Sequence, residues 1–282
     1  MLRVFEAAFL IGKMEELVMS FHKPEQIAEL VIESGVQKVR QSLSAMLILG
    51  FLGGAFISLG FLLNIRVLGN VPQQWGSLVN FIGGAVFPIG LMLVVLAGGE
   101  LITGNMMSLS MALYARKISL KNVLNNWVWI TLTNFVGALF VAYCFGHLGG
   151  LTEGAYLNKT IAIAQDKLHE SFGRTLILAI GCNWLVCLAI WLAYGTNDLI
   201  GKIVGIWIPI MAFVVIGFQQ VVANMFVISA VIFAGHLTWM DLAKNFVPVF
   251  IGNVIGGAGF VGFAYFSCYQ KQSATEKDVL RK

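Results

Sequence analysis

The chain has 282 residues, of which 58% are hydrophobic and 11% are charged, and its formal net charge is +4. Soluble domains are about 45–50% apolar and about 25% charged. The composition therefore excludes a soluble enzyme, a disulfide-rich secreted domain and a disordered regulator, and the small net charge does not indicate a nucleic-acid partner. With a mean hydropathy of +0.83, the chain is predicted to be an all-α protein embedded in a lipid bilayer.

Six apolar stretches are long enough to cross a bilayer, since a helical crossing takes about 20 apolar residues. The predicted crossings begin near Ser42, Leu78, Trp127, Gly173, Ile203 and Phe246. They divide the chain into an N-terminal segment 1–41, a six-span transmembrane channel domain 42–269 and a C-terminal tail 270–282. Within the first segment, residues 24–41 are predicted to form a surface helix that leads into the first crossing.

The second and the fifth crossing are each interrupted. The apolar run of the second meets Gly98-Gly99-Glu100, and the run of the fifth is interrupted at residues 217–220. Each is predicted to form two half-helices with a break at mid-membrane depth. Because a bilayer tolerates free backbone groups only where protein or water surrounds them, the breaks are predicted to line a pathway.

A sequence repeat relates the two breaks. Residues 104–110 match residues 223–229 at an offset of 119, and at the same offset Glu100 meets Gln219. The next crossing repeats the register, since Asn134-Phe135-Val136-Gly137 meets Asn253-Val254-Ile255-Gly256. The matches predict two inverted three-helix repeats, because three crossings reverse the orientation, in an aquaporin-like architecture. Such repeats place a solute site at their interface, which indicates a channel or a transporter.

The positive charges are unevenly distributed between the two sides of the predicted topology. With six crossings, 13 of the 18 lysines and arginines lie on the side of the two chain ends, and five lie on the other side. Cytoplasmic loops carry an excess of these residues. Both termini are therefore predicted to be cytoplasmic, in a protein that crosses the cell membrane several times.

Polar residues follow each break in the sequence. Thr103 and Asn224 lie where the second half-helices begin, and hydrogen-bond donors at helix N-termini could replace part of the water shell of an anion. The same two residues could instead only cap these helices. Glu100 is the one acidic residue deep in an apolar stretch, so it either contributes to the pathway or holds the break together.

Four large apolar residues could narrow the pathway and gate it by dewetting, although the same residue types also pack ordinary helical cores. They are Phe87, Leu91, Leu101 and Phe213.

No pattern in the sequence points to a metal, a cofactor or catalysis. The four histidines are scattered, and the Cys182–Cys187 spacing fits neither a redox pair nor a zinc site. The sequence also has no P-loop, no dinucleotide fingerprint and no nucleophile elbow. We therefore expect no cofactor, no metal site and no enzymatic activity.

Four long strings of the sequence are unusual enough to indicate a family, namely residues 98–105, 181–191, 217–226 and 248–257. They resemble the formate/nitrite transporters, a family of small-anion channels. The resemblance covers about residues 37–269 and implies a homopentamer of six-span subunits. At matching positions it implies that Phe87, Leu91 and Phe213 form hydrophobic constrictions, with Leu101 as a further pore-lining leucine.

The resemblance also implies a set of polar residues in the pathway. Thr103 matches a polar residue of the first break, and Lys167, Asn183 and Asn224 match residues that attract an anion to the pore. A lysine at position 167 could also be an ordinary solvated loop residue.

The sequence departs from the family at the second break. Where the family commonly has Gly-Phe-Glu-His-Ser, this chain has Gly217-Phe218-Gln219-Gln220-Val221. The central histidine of the family is proposed to give a proton to the permeating anion, whereas glutamine cannot titrate. A central Gln220 therefore predicts weaker or altered proton coupling.

The resemblance predicts the passage of formate through a channel or a weakly proton-coupled transporter. Nitrite, hydrosulfide, acetate and lactate stay open as solutes, because each carries a single negative charge. A pore for water or a neutral solute is an alternative from another class, since inverted half-helices build such pores as well. Two Asn-Pro-Ala loops would indicate it, but the corresponding positions here are 103–105 and 222–224.

Overall fold

The computed structural model describes residues 21–270, and the secondary structure in this range is helical apart from one isolated bridge between Phe21 and Thr196. Residues 1–20 and most of the predicted tail, 271–282, lie outside the described range. Ten longer helices and two three-residue 3-10 helices, Gln73–Trp75 and Gly154–Tyr156, build the described part, and the longer ones are numbered here. They are α1 (Pro24–Arg40), α2 (Leu43–Leu68), α3 (Ser77–Gly98), α4 (Ile102–Tyr114), α5 (Leu120–Leu148), α6 (Leu157–Leu168), α7 (Phe172–Tyr194), α8 (Leu199–Ile216), α9 (Val221–Phe233) and α10 (Trp239–Tyr269).

Six of these helices, α2, α3, α5, α7, α8 and α10, are long and apolar enough to cross a membrane. Their number agrees with the prediction, but α5 and α10 begin about seven residues earlier than hydropathy indicates. Both start with a polar capping box, formed by Ser119 and Asn122 at α5 and by Thr238 and Asp241 at α10. Capping residues satisfy free backbone N–H groups, so these polar first turns are helical although they are not apolar.

The two breaks lie where the sequence predicts them. Gly98, between α3 and α4, has φ +99°, and Gly217, between α8 and α9, has φ +88°. Glycine adopts this left-handed region without the steric penalty of a Cβ atom. The helix lengths differ from those expected of two half-helices, however. Helix α3 has 22 residues and α8 has 18, whereas α4 and α9 have 13 each. The helix before each break is thus long enough for a crossing of its own.

In the first repeat, the short helix α1 precedes the three crossings. Its apolar face, which includes Ile27, Val31 and Ile32, is buried, and α1 packs mainly on α4. The backbones approach closely, because a Cβ on Gly35 would overlap the carbonyl oxygen of Ser108. The short helix α6 lies in the corresponding place before α7 in the second repeat, so each repeat is a short helix followed by three crossings.

Close helix crossings hold both repeats together at equivalent glycines. On α5, a Cβ added at Gly137 would overlap the carbonyl oxygen of Phe51 on α2. On α10, a Cβ added at Gly256 would overlap the carbonyl oxygen of Ile180 on α7. Small residues allow transmembrane helices to approach to backbone contact, which increases their van der Waals attraction. The two crossings thus fix α2 against α5 and α7 against α10.

Candidate solute pathway

Two cavities open at opposite ends of α2. One, of about 320 Å³, includes Leu49 near the beginning of α2, and the other, of about 300 Å³, includes Leu68 at its end. We name them the first and the second vestibule. The first is also lined by Lys38, Glu100, Leu101, Asn105 and Lys202. The second is also lined by Phe87, Lys159, Asp166, Lys167, Phe213, Gln220 and Asn224.

The predicted constriction residues are buried but are not all in one place. The rings of Phe87 and Phe213 meet edge to face, with centroids 5.5 Å apart, and both line the second vestibule. Leu101 lines the first vestibule, and the residue is 3% exposed. Leu91 is buried in the core and is absent from the walls of both vestibules. The structure thus brings the two phenylalanines together and places Leu91 in the buried core, so its constriction role stays a prediction.

Glu100 organises the first break. Its Oε2 accepts hydrogen bonds from Nζ of Lys38 at 2.7 Å and from Nδ2 of Asn105 at 2.9 Å, and its Oε1 accepts one from Nε2 of Gln41 at 3.0 Å. Nδ2 of Asn105 also donates to Oδ1 of Asn126 at 2.9 Å. Both oxygens of the carboxylate are therefore held by protein donors, one of which is the ammonium of an ion pair. In this geometry Glu100 holds the break together and also lines the first vestibule, so a contribution to the pathway stays a prediction.

The second break repeats this network with an amide in place of the carboxylate. Oε1 of Gln219 accepts from Nδ2 of Asn224 at 2.7 Å, and the same Nδ2 donates to Oδ1 of Asn245 at 2.9 Å. Nδ2 of Asn245 in turn donates to the carbonyl oxygen of Lys167 at 2.7 Å. Because that last bond orients the amide of Asn245, it also orients Asn224, whose Oδ1 has no partner among the described residues. Gln219 is thus a buried part of the break rather than a free pathway side chain.

One asparagine in each repeat forms hydrogen bonds both to the break and to a neighbouring crossing. Nδ2 of Asn134 donates to the carbonyl oxygens of Gly50 and Glu100, and its Oδ1 accepts from the backbone N–H of Ile102. Asn253 repeats this pattern with Ala179, Gln219 and Val221. Each asparagine satisfies groups that would otherwise be free at a helix break, where an unpaired backbone group is costly to bury. These residues belong to the repeat seen in the sequence, but their role follows only from the structure.

A side-chain hydrogen bond joins the two breaks. Nε2 of Gln220 donates to Oγ1 of Thr103 at 3.3 Å, and Oε1 of Gln220 accepts the N–H of Ala223 at 2.5 Å. Gln220 is therefore the N-cap of α9, and this bond orients its amide nitrogen towards the other repeat. An amide nitrogen carries two hydrogens, so one is left for a solute in the second vestibule.

Asn183 lies in the protein core beside the first break. It is fully buried and is absent from the walls of both vestibules. Its Nδ2 donates to the carbonyl oxygens of Thr103 and Asn253, at 3.2 and 2.6 Å. Asn183 thus connects the start of α4 to α10, and it acts on the pathway through the position of Thr103.

Lys167 lies at the edge of the second vestibule. Its Nζ donates to the carbonyl oxygen of Phe218 at 3.1 Å. Within residues 21–270, its ammonium has no carboxylate oxygen within ion-pair distance. Burial of the Lys167 ammonium lowers its pKa from the ordinary value of a lysine, because the low-polarity surroundings disfavour the charged form. Lys167 is therefore not the ordinary solvated loop lysine that its sequence position also allowed.

Sequence reasoning missed several residues of these networks. They are Lys38, Gln41, Asn126, Lys202 and Asn245. The pair Asn126 and Asn245 carries the offset of 119, so an extension of the repeat through α5 and α10 would have found it. The described range contains no group of three His, Cys, Asp or Glu residues that could hold a metal ion.

Comparison with known proteins gives consistent matches over almost the whole described range. The family profile described as formate/nitrite transporter matches residues 25–267. A formate channel of Bacillus thuringiensis, BtFdhC, is 87% identical over 259 residues, which are 92% of this chain and all of that protein. A solved structure of an FNT family ion channel aligns with a TM-score of 0.79 at 28% identity, over 86% of this chain and 98% of the other. A pentameric formate channel with formate bound aligns with a TM-score of 0.69 at 27% identity, over 81% and 98% of the two chains.

Proposed function

The chain belongs to the formate/nitrite transporter family, and on this premise we propose that it is a channel through which formate crosses the membrane. It is a multi-pass membrane protein of a family of transporters. The observation that carries the proposal is the bridge between Gln220 and Thr103, which places neutral hydrogen-bonding groups where the two repeats meet. Formate is small, planar and singly charged, and it can accept hydrogen bonds from such donors at both oxygens.

The charges of the vestibules favour an anion as the solute. Two lysines and one carboxylate line each cavity, and the excess of positive charge raises the local concentration of anions. Nitrite is the second candidate because it matches formate in size and charge, followed by hydrosulfide and other small monocarboxylates. A pore for water or a neutral solute would gain nothing from these lysines, so the anion is the better fit.

Gln220 solvates the solute in the proposed mechanism. Moving a bare anion past the apolar rings of Phe87 and Phe213 costs several kcal/mol or more unless donors replace its water. The free Nε2 hydrogen of Gln220 can supply one such bond, but glutamine has no proton to give near neutral pH. Formate is therefore expected to pass as the anion, with weak coupling to protons at this point.

The phenylalanine pair forms the hydrophobic gate in this proposal. Phe87 and Phe213 are in edge-to-face contact, and Phe61 makes a second such contact with Phe87 at a centroid distance of 5.5 Å. A pore lined by closely spaced rings excludes water until the rings separate. Rotation of Phe87 or Phe213 is the motion that would open this gate.

The assembly and the orientation are part of the same proposal. The homopentamer is supported by the alignment with a pentameric channel. The uneven distribution of lysine and arginine supports cytoplasmic termini in the cell membrane. Because α1 contributes Lys38 to the first vestibule, that vestibule would then face the cytoplasm.

The proposal is tested by measuring formate flux into liposomes that contain the purified protein, together with charge movement, at several pH values. We expect one charge to move with each formate and little dependence on pH. Electroneutral flux that increases with acidity would mean that a proton travels with formate and would overturn the solvating role of Gln220. Absence of formate flux, with flux of nitrite or hydrosulfide instead, would change the assigned solute.

A further inference from the structure

Helix α3 is interrupted at Phe87 and Pro88. These two residues form a turn between helical segments, and Pro88 has no N–H to donate to the carbonyl oxygen of Gly84. A proline inside a helix removes one bond of the helical ladder, and such a position bends more easily than a continuous helix. Phe87, one ring of the proposed gate, therefore belongs to the interruption itself. We name residues 87 and 88 the α3 kink.

A side chain of helix α8 binds the backbone of α3 just before this kink. Nε1 of Trp207 donates a hydrogen bond to the carbonyl oxygen of Ala85 at 2.7 Å. The two helices are close at this level, because a Cβ on Gly84 would lie 2.6 Å from a methyl carbon of Val215. Indole has one donor and no acceptor, so the bond satisfies the side chain and a backbone carbonyl group together. Trp207 thus connects α8 directly to the backbone of α3.

This bond lies outside the pathway but close to the gate. Trp207 is not among the described residues that line the two vestibules. Ala85 is two residues before Phe87, which is about 3 Å along a helix, whereas Trp207 is six residues before Phe213, about 9 Å. Because Ala85 is the nearer of the two, the bond acts mainly on Phe87.

Phe87 is packed against α2 on one side and contacts α8 on the other. A Cβ on Gly60 of α2 would lie 2.7 Å from the carbonyl oxygen of Phe87, and the ring of Phe61 meets that of Phe87 edge to face. Opening the gate separates the ring of Phe87 from that of Phe213, so it moves the α3 kink relative to α8. The bond of Trp207 joins the same two helices and opposes this motion.

We propose that Trp207 is a positioning residue of the channel: its bond to Ala85 holds the α3 kink, and with it Phe87, where the two rings of the gate touch. The proposal rests on the proposed function, because Phe87 and Phe213 form a gate only in that function. The bond is present while the rings touch, so it stabilises the closed arrangement. Its loss favours the open arrangement, and a hydrogen bond of ordinary strength shifts such an equilibrium about two- to tenfold.

The test is the substitution Trp207→Phe in the full chain, purified and reconstituted in liposomes. Phenylalanine keeps an aromatic ring at this position but has no N–H. We expect the maximal formate flux to rise about two- to tenfold. The half-saturating concentration of formate is expected to stay the same, because Trp207 lines neither vestibule. A bond with a merely structural role would lower the flux when it is lost. Trp129→Phe on α5 is the matched control, since Trp129 is exposed and its replacement is expected to leave the flux unchanged.

Pro88→Ala tests the kink independently. Alanine supplies the N–H that the carbonyl oxygen of Gly84 lacks, so it makes α3 stiffer at the gate. We expect formate flux to fall, and we expect Trp207→Phe to have a smaller effect in this background than in the wild type. Unchanged or reduced flux in a folded Trp207→Phe protein would overturn the proposal. If gel filtration and the unfolding temperature show that this variant fails to fold, Pro88→Ala decides, and flux that does not fall overturns the proposal.

The water permeability of the same liposomes, measured by stopped-flow light scattering, separates this proposal from the function on which it rests. Closely spaced rings exclude water until they separate, so Trp207→Phe is expected to raise the water permeability as well. Formate flux in the wild type with no increase of flux or water permeability in the variant would overturn the role of Trp207 and leave the function in place. Higher water permeability in the variant without formate flux in either protein would overturn the function and leave Trp207 as a residue that holds the gate.

Discussion

Nε2 of Gln220 donates a hydrogen bond to Oγ1 of Thr103, and this contact connects the break of one repeat to the break of the other. The donor is fixed by the N-cap bond that its own Oε1 accepts from Ala223. A glutamine at this position therefore caps α9 and, in the proposed function, also contacts the solute. A side chain that replaces it has to perform both.

Removal of the Thr103 hydroxyl tests this contact. Thr103→Val keeps the shape of the side chain but leaves the buried Nε2 of Gln220 without its partner, a loss of about 1–3 kcal/mol. We expect formate flux to decrease and the unfolding temperature to fall. Thr103→Ser is the matched control, because it keeps the hydroxyl and is expected to retain most of the flux. Equal losses in both variants would show that the methyl group and not the hydroxyl matters.

Gln220→His tests the proton coupling. An imidazole titrates near pH 6.5, so its charge changes within the range of flux measurements. We expect flux to increase as the pH falls through the imidazole pKa, while the wild type stays nearly constant. The measurement is initial formate flux at fixed total formate between about pH 5 and 8. The idea is dropped if both proteins have the same pH profile.

The lowered pKa of Lys167 predicts that formate affinity depends on pH. Burial lowers the pKa of Lys167, so its ammonium is lost at a lower pH than that of an exposed lysine. Since the anion binds the charged form, the half-saturating concentration of formate is expected to rise as the pH rises through this pKa. Lys167→Arg is the control, because guanidinium stays charged and the dependence should disappear. A wild-type affinity that is constant over this range contradicts the prediction.

Removal of the Asn253 side chain is expected to lower the stability of the protein strongly. Asn253→Ala leaves the carbonyl oxygens of Ala179 and Gln219 and the N–H of Val221 without their bonds. Each buried unsatisfied group costs about 1–3 kcal/mol, so we expect a strongly reduced unfolding temperature in detergent. Asn70→Ala is the matched control, since Asn70 is exposed and makes one long bond to Tyr156. Similar unfolding temperatures for both variants would contradict a tying role for Asn253.

A larger residue in place of Gly137 is expected to disturb the packing of α2 against α5. A Cβ at Gly137 overlaps the carbonyl oxygen of Phe51, so Gly137→Ala has to separate the two helices. We expect a lower unfolding temperature and a smaller yield of folded protein. Gly259→Ala on α10 is the control, because a Cβ there has no neighbour within 4 Å. A neutral effect of Gly137→Ala would show that the crossing adapts at little cost.

The sequence by itself determined the six crossings, the two breaks and the repeat of 119 residues. Hydropathy and glycine are local properties, because a crossing needs a continuous apolar run and a break needs a residue that tolerates positive φ. Hydropathy does not predict the polar first turns of α5 and α10, because their helical state depends on capping bonds.

Only the tertiary structure decided which polar residues act together. Lys38 and Glu100 are 62 residues apart, and their ion pair forms because α1 packs beside the first break. The polar amide of Asn183 is typical of a pathway residue, but in the structure it donates to backbone carbonyl groups. Hydrogen bonds and ion pairs require atoms within about 3 Å, and such distances depend on how helices that are far apart in the sequence cross one another. A sequence pattern can therefore indicate which residues are candidates for the pathway. The packing of the helices determines which hydrogen-bond or ion-pair partner each of them has.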